Sequence, residues 1–541
     1  MSFLKKEVKS SGTYIRIVES YRNQEGKSKH RTLYNLGKAE DYSKQTLKRI
    51  GKSFLELSGE DMDLSEKKQL HEVNRYNYGF LMIYHRVMQI YGLDKYFHKI
   101  QKKKKLSFTL YQSLLLMIVE RLNEPSSKLS NYNHRQEYLG LEEVALHNLY
   151  RSLDQLYSVQ DSVQKLIYEQ GRDLFNQKLD IVFYDVTTFY FESEHEDGFR
   201  MKGFSKDGKI GNTVIVFGML IDKNKNPVGY RIYKGGYYEG HTFADAVRKL
   251  KQEYSIDRVI TVADRGMMNR NNKELLKGEE IGYEYIIGER LKNLKQDVQD
   301  RILDRSKYTK IKIEDEESAE EIEIEYYVTE HDGKRIITTY SEHRARKDRH
   351  EREEKIEKAK DFMQNPSKVE RKVASHFLKK TNKTGYELDE EKIAKNQRYD
   401  GFISISTDVN DLSIPQILDS YKQLYKIEHT FRTFKSYLET RPMFHWTEKR
   451  IEGHLCLCYI CFTLLNYLQQ KMLRKGIKLS ENKLREVVGK MQVSHIDQSG
   501  DQFYLRSRQT EHSKMILQEL NLRELPDVIG INAISQYITI D

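Results

Sequence analysis

The sequence predicts an α/β fold with a mixed β-sheet core. Between residues 181 and 288, three strand-like runs follow one another over short connections, and then strand and helix patterns alternate. Consecutive strands pair antiparallel, whereas strand–helix–strand units pair parallel. We therefore expect a sheet that is antiparallel at its start and parallel at its finish. The run IVFYDVTTFYF (181–191) is apolar on both of its alternating faces, which indicates a central strand covered on both sides.

The regions before this core have different patterns. Residues 1–60 predict an N-terminal β-hairpin arm, because 13–19 and 30–36 have strand character on either side of a turn-rich, basic stretch. Residues 61–175 have a helical pattern with a basic run at 102–105. This module is a candidate DNA-binding domain. A solvated helical scaffold explains it equally well, since no recognition helix can be singled out.

The core itself is predicted in two parts, 176–290 and 401–475. Between them, residues 291–400 contain acidic strands and a long charged helix, and we expect them to form an inserted α+β lobe. The helix at 341–363 is basic in its first half, which suits either a DNA-facing stripe or an exposed helix with many ion pairs. Residues 476–541 form a C-terminal region.

Composition limits the classes of protein. The net charge of +10 permits a nucleic-acid partner without requiring one. Three cysteines, all within HLCLCYICFTLLNYL (454–468), argue against a disulfide framework. They resemble half a zinc site, but small apolar residues in a buried helix are the better interpretation. We expect no membrane partner and a cytoplasmic protein, because no signal peptide is recognisable and the run 455–468 is too short and too mixed to span a bilayer.

Three acidic residues stand out from their surroundings. Asp185 lies inside the run IVFYDVTTFYF, Asp264 ends the apolar run VITVAD, and Glu428 follows the last strand pattern of the core. Burying a carboxylate is costly unless a cation or a hydrogen-bond donor compensates it. Each residue alone has an ordinary structural explanation, such as a salt bridge, a helix cap or an exposed helix edge. Together they predict one carboxylate pocket that suits Mg²⁺ or Mn²⁺.

The segment around Glu428 has the periodicity of an amphipathic helix. One stripe is apolar and should pack on the sheet, and it comprises Leu424, Ile427, Phe431, Phe434 and Leu438. A second stripe, about 100° away on the helix, comprises Tyr421, Tyr425, Glu428, Arg432 and Lys435. Glu428 is therefore expected beside the sheet, with basic side chains one and two turns further on.

With these residues, the chain resembles DDE transposases of bacterial insertion sequences, in the group marked by a Tyr–Arg–Glu–Lys signature. In that signature the Glu follows the Tyr by seven residues and precedes the Lys by seven, and Tyr421, Glu428 and Lys435 fit both spacings. The Arg position is Leu424 here, and Lys422 and Lys426 are near enough to substitute for the Arg. The segments YDVTTFYFE and ADRGM resemble the first two acidic motifs of the family. The resemblance covers roughly residues 170–470.

The resemblance implies a ribonuclease-H-like mixed-sheet core, interrupted by an insertion before the helix that bears the Glu. It implies Asp185, Asp264 and Glu428 as catalytic ligands of two Mg²⁺ or Mn²⁺ ions, with Asp185 bridging. It further implies cleavage of double-stranded DNA at inverted-repeat transposon ends, transfer to target DNA, and a homodimer in the DNA complex. The predicted DNA contacts are Tyr421, Lys426, Arg432, Lys435 and Arg265.

Two alternatives stay open at this point. The first is a ribonuclease-H-like nuclease without strand transfer, and the second is a catalytically inactive DNA-binding protein derived from a transposon. The intact acidic triad argues against the second alternative.

Overall fold

The computed structural model describes residues 2–10, 12–23, 27–58, 70–175, 181–203, 205–206, 208, 211–237, 239–254, 259–264, 266, 270–278, 281–314, 321–364, 375–380, 386–538 and 540. Its strands are β1 (Ser2–Lys9), β2 (Gly12–Arg22), β3 (Ser28–Lys38), β4 (Leu70–Tyr76), β5 (Ile181–Tyr190), β6 (Met201–Lys202), β7 (Thr213–Asp222), β8 (Pro227–Lys234), β9 (Ile260–Ala263), β10 (Glu284–Glu289), β11 (Thr309–Glu314), β12 (Glu321–His331), β13 (Lys334–Tyr340), β14 (Leu378–Lys380), β15 (Tyr386–Leu388), β16 (Phe402–Thr407), β17 (Val493–Gln498), β18 (Asp501–Arg506) and β19 (Val528–Gly530). Its helices are α1 (Lys44–Leu57), α2 (Tyr78–Ile90), α3 (Leu93–Lys103), α4 (Leu110–Asn123), α5 (Lys128–His134), α6 (Leu146–Phe175), α7 (Glu239–Tyr254), α8 (Arg270–Lys277), α9 (Gln296–Leu303), α10 (Glu342–Gln364), α11 (Glu390–Gln397), α12 (Ile414–Lys422), α13 (Tyr425–Arg432), α14 (Glu448–Leu473), α15 (Glu481–Gly489) and α16 (Glu511–Glu519).

The chain folds into two compact units. The first unit comprises Met1–Gln177, Phe189–Val214 and Thr430–Asp541, and the second comprises Lys178–Thr188 and Ile215–His429. The boundaries of the six predicted regions do not coincide with these units, and those boundaries stay predictions.

The first unit contains two small sheets and a helical core. Strands β1, β2 and β3 form one antiparallel sheet, so the hairpin expected near residues 13–36 has a third strand at its N-terminal side. The other sheet has the order β19-β18-β17-β4. A helical pattern was expected from about residue 62, and for 70–76 this expectation was wrong, because β4 pairs there with β17. Such pairing across more than 400 residues of chain leaves no local signal in the sequence.

The core of the first unit surrounds helix α14. Residues Leu455–Leu468 of this helix are buried, including Cys456, Cys458 and Cys461, which are free thiols. The expectation that the cysteines pack as small apolar residues in a buried helix is confirmed. At 26 residues the helix is longer than expected, and by length and composition it could cross a membrane, but 94% of its most apolar window is buried inside the protein.

The second unit is built on a large mixed sheet, as predicted. Its strands follow the order β11-β12-β13-β16-β10-β9-β5-β7, and β8 pairs with β7. Strand β9 pairs in parallel with both β5 and β10, whereas β7 and β8 pair with each other antiparallel. Strand β5 is central, as its apolar sequence indicated. The strands β11–β13 of the predicted inserted lobe extend this sheet through antiparallel pairing with β16.

The two faces of strand β5 have different neighbours. Alternate residues of a strand point to opposite faces of the sheet, so Tyr184 and Asp185 lie on different faces. Tyr184 packs edge-to-face against Phe243 of α7, with ring centroids 5.7 Å apart. Asp185, the next residue, lines a cavity together with residues of α12 and α13. The carboxylate therefore lies on the face opposite to α7.

Candidate active site

The two strand-borne aspartates are neighbours in the sheet. Strands β5 and β9 run parallel, and their last paired residues are Tyr184 and Ala263. Asp185 and Asp264 follow these residues directly, so the same register places them side by side, on strands about 4.8 Å apart, and on the same face. Val186 donates its backbone N–H to Asp185 Oδ1 at 2.7 Å.

Glu428 reaches the same place from a helix. A cavity of about 420 Å³ is lined by all three predicted acids, Asp185, Asp264 and Glu428. Asp264 and Glu428 are exposed to solvent, and Asp185 is partly buried. Within the described part of the chain, the side chains of Asp264 and Glu428 make no ion pair or hydrogen bond. The fold thus brings the three acids to one cavity and leaves two of them available to a ligand.

The segment that carries Glu428 is not a single helix. Helix α12 ends at Lys422, α13 begins at Tyr425, and a π-helical turn follows at Thr433–Tyr437. The N–H of Leu424 bonds to the carbonyl of Tyr421 at 3.2 Å, and that of Ile427 bonds to the carbonyl of Leu424 at 3.1 Å. The predicted apolar stripe is buried from Ile427 onwards, and Glu428 is exposed.

The residues predicted to contact DNA differ in their exposure and in whether they line the cavity. Tyr421 lines the cavity, but the Lys426 amine donates to the Lys223 carbonyl oxygen at 2.9 Å and to Gln423 Oε1 at 3.0 Å, and it does not line the cavity. Arg432 is exposed on the last turn of α13, and Lys435 is half-buried in the π-helical turn. Arg265 lies outside the described residues.

Several residues of the cavity were missed by the sequence reasoning. Asp419 and Lys422, on α12, line it together with an apolar wall of Ile324, Ile403, Ile405 and Leu418. Gln423 Nε2 donates to Asp419 Oδ2 at 2.6 Å, so this fourth carboxylate is already engaged. A signal for α12 was present, since Ser413 and Pro415 mark a helix start before Asp419. The apolar wall had no signal, because it depends on how β11–β13 join the sheet.

A second, wider cavity of about 750 Å³ shares Asp264, Ile403 and Tyr421 with the first. Its walls carry charges of both signs: five Lys or Arg and His376, and five carboxylates. The basic residues are Arg290, Lys292, Arg344, Arg352, Lys355 and His376, and the acidic ones are Asp264, Glu289, Asp348, Glu351 and Asp400. Burial, followed by the charges of Lys392, Lys355 and Lys292, lowers the pKa of His376. Of the basic helix α10, Arg352 pairs with Asp400 and Arg344 with Asp348, whereas Arg346, Lys347 and Arg349 are exposed.

Two buried tyrosines of the central sheet, Tyr184 on β5 and Tyr285 on β10, stay protonated at neutral pH. Burial, followed by the influence of Tyr233, raises the pKa of Tyr184 well above its ordinary value. Burial, followed by the charge of Asp408, raises the pKa of Tyr285 to about 12. Neither residue lines the cavity that holds the three acids.

The acids do not form a closed metal cage. In the described part of the chain, no three His, Cys, Asp or Glu side chains lie close enough together to hold one ion. The chemistry of the donors nevertheless suits a hard divalent cation, since all of them are carboxylate oxygens.

Comparisons with known proteins found one family model and several solved structures that are similar to this chain. Residues 4–65 match the model of the "IS1634 family transposase, N-terminal domain". No curated protein matches the chain. A solved piggyBac transposase synaptic complex with hairpin DNA is 10% identical, with a TM-score of 0.40 over 76% of this chain and 78% of that one. A Mos1 transposase paired-end complex is 14% identical, with a TM-score of 0.15 over 46% and 69%. The family match at the N-terminus supports a transposase of the insertion-sequence type.

Proposed function

We propose that the protein is a DDE transposase that cleaves double-stranded DNA at the ends of its insertion sequence and joins those ends to target DNA. The observation that carries this proposal is the meeting of Asp185, Asp264 and Glu428 in one cavity of the second unit. These residues are up to 243 positions apart in the chain. One common ligand-binding role explains their shared position better than three separate structural roles, because two of the three acids have no protein partner in the described residues.

The fold supports a ribonuclease-H-like core. Strands β5, β7 and β8 follow one another over short connections, and α7, β9, α8 and β10 then alternate. This is the layout that the resemblance implies, with residues 290–400 inserted before the helix that bears the Glu.

The carboxylates suit Mg²⁺ or Mn²⁺. When bound, such ions activate a water molecule and stabilise the leaving 3′ oxygen of a phosphodiester. Among the chain's own residues, Asp185, Asp264 and Glu428 would hold the ions.

The surroundings of the acids suit a polyanionic substrate. Tyr421 and Lys422 line the same cavity, and the wider cavity, which shares Asp264 with it, offers Arg290, Lys292 and Lys355 in its walls. We infer that Tyr421 and Lys422 contact phosphates beside the cleaved bond. Arg432 and Lys435, the other basic residues of the predicted stripe, are proposed as further phosphate contacts. Two DNA ends must be brought together for transposition, so we propose a homodimer in the DNA complex.

The test compares conservative variants of the acids. Asp185→Asn, Asp264→Asn and Glu428→Gln should each lower DNA cleavage by about a thousandfold or more, since each removes a charged metal ligand while keeping the shape. The substrate is duplex DNA from the sequence that flanks the reading frame. Asp419→Asn is the matched control, because this carboxylate lines the same cavity but bonds to Gln423, and it should keep most of the activity.

A second assay offers pre-cut ends and a plasmid target. Joined products are expected from the wild-type chain and not from the three variants. Cleavage without joining would instead identify a nuclease. Full Mg²⁺-dependent cleavage by any one of the three variants would show that the acid assignment is wrong.

A further inference from the structure

The N-terminal sheet carries most of the excess charge of the protein. Residues 2–38 contain nine Lys and Arg against three Glu, a net charge of +6 out of the +10 of the whole chain. These residues are about a fifteenth of the sequence. The excess is therefore concentrated on β1–β3, and the rest of the chain is close to neutral for its length.

The end of the β2–β3 hairpin is a two-stranded ribbon. Strand β1 pairs with β2 only as far as the pair Ser2 and Glu19. Beyond that point β2 and β3 pair with each other alone, through Ser20 with His30, Tyr21 with Lys29 and Arg22 with Ser28. Two hydrogen bonds join Asn23 and Lys27 at the end of the ribbon. The Lys27 N–H donates to Asn23 Oδ1 at 2.9 Å, and the Asn23 N–H donates to the Lys27 carbonyl oxygen at 3.0 Å.

This ribbon is exposed, although its base is fixed. Every residue from 27 to 34 is exposed, as are Tyr21 and Arg22. The base is held by Asn35, whose backbone N–H donates to Asp527 Oδ2 at 2.6 Å, and whose carbonyl accepts from the Asp527 N–H at 2.8 Å. A fixed base with an uncovered basic end is suited to reach a large partner.

Basic side chains lie on both faces of the ribbon. Because paired residues share a face, Lys29 lies with Tyr21 on one face, while Arg22 lies on the other. Arg31 is paired with Glu19 at 2.5 Å, but Arg22 and Lys29 have no ion pair within the described residues. Two cations on opposite faces of a ribbon can reach the two phosphate backbones that border a groove of DNA.

The dimensions agree with this partner. Two paired strands are about 4.8 Å apart, and a two-stranded ribbon fits the major groove of B-DNA, which is about 12 Å wide. We propose that residues 19–23 and 27–31 form a DNA-binding ribbon that enters the major groove, with Arg22 and Lys29 contacting phosphates on its two sides. This proposal rests on the proposed function, which supplies double-stranded DNA as the substrate.

The experiment measures duplex binding by the full chain. Fluorescence anisotropy with duplex DNA from the sequence flanking the reading frame, in a chelator to prevent cleavage, gives the dissociation constant from about 50 to about 300 mM salt. For the variant Arg22→Gln/Lys29→Gln, the slope of log affinity against log salt should fall by about 1.8, because two phosphate contacts are lost, and the affinity should fall about tenfold.

The matched control is Lys478→Gln/Arg508→Gln, which removes one Lys and one Arg that are exposed and unpaired in the described residues. It should bind like the wild type. Thermal unfolding of both variants checks that the fold is intact. An unchanged slope in the ribbon variant, or an equal loss in the control, would overturn the ribbon while leaving the proposed function in place. A wild-type chain that binds no duplex DNA would overturn both proposals.

Discussion

Two lysines of the Glu428 segment have different surroundings. Lys422 is exposed and lines the cavity that holds the three acids. Lys426 is bonded to the Lys223 carbonyl and to Gln423, so its amine holds a neighbouring loop. The signature position between them, Leu424, contributes an apolar side chain to the cavity wall. Of the two candidates to replace the signature Arg, the geometry therefore favours Lys422.

The two lysines should respond differently to the same change. Lys422→Gln should lower the cleavage rate about tenfold, because it removes a cation beside the bound phosphates. Lys426→Gln should instead lower the free energy of unfolding by about 1 kcal/mol, through the two lost hydrogen bonds, and leave cleavage nearly unchanged. Cleavage kinetics and denaturant unfolding of both variants provide the measurement. The reverse pattern would assign the signature role to Lys426.

At the scale of elements, helices α6 and α14 approach each other closely at a glycine. A Cβ atom added to Gly453 would overlap the carbonyl oxygen of Leu153 and lie 2.8 Å from its carbonyl carbon. The obstacle is backbone rather than a movable side chain, so the helices would have to separate. Only glycine permits this spacing in the core of the first unit.

Gly453→Ala should therefore lower the free energy of unfolding by about 1–3 kcal/mol, the usual effect of overpacking. Gly489→Ala is the control, since its added Cβ would lie 3.5 Å from Phe80, an ordinary contact. The control should change the stability little, because alanine favours the helical backbone. Thermal unfolding of the two variants decides the question, and equal melting temperatures would contradict the close approach.

For the whole molecule, the acids and the excess positive charge lie on different parts of the chain. The acids belong to the second unit, whereas the +6 of residues 2–38 belongs to the first. Binding of DNA and cleavage of DNA should therefore depend on different conditions. Binding should weaken steeply with salt, and cleavage should depend on divalent ions.

Removal of divalent ions should separate the two activities. In a chelator, cleavage of duplex DNA should stop while binding remains, and added Mg²⁺ or Mn²⁺ should restore cleavage. Gel assays of cleavage and anisotropy of binding, made on the same preparation, give the comparison. Undiminished cleavage in the chelator would exclude the proposed role of the carboxylates.

The sequence by itself determined the residue types and the local periodicities. The mixed sheet, the central position of β5, the buried cysteine helix and the two stripes around Glu428 all follow from patterns within a few turns of chain. Such patterns are local, because strand alternation and helix periodicity reflect which face each residue buries.

Only the tertiary structure decided which distant residues meet. The register of β5 with β9 places Asp185 beside Asp264, the joining of β11–β13 to β16 provides the apolar wall, and β4 pairs with β17 across most of the chain. Lys422, and not Lys426, lines the cavity that holds the acids. These features depend on pairings between segments far apart in the chain, whose energies come from shared burial and not from any local preference.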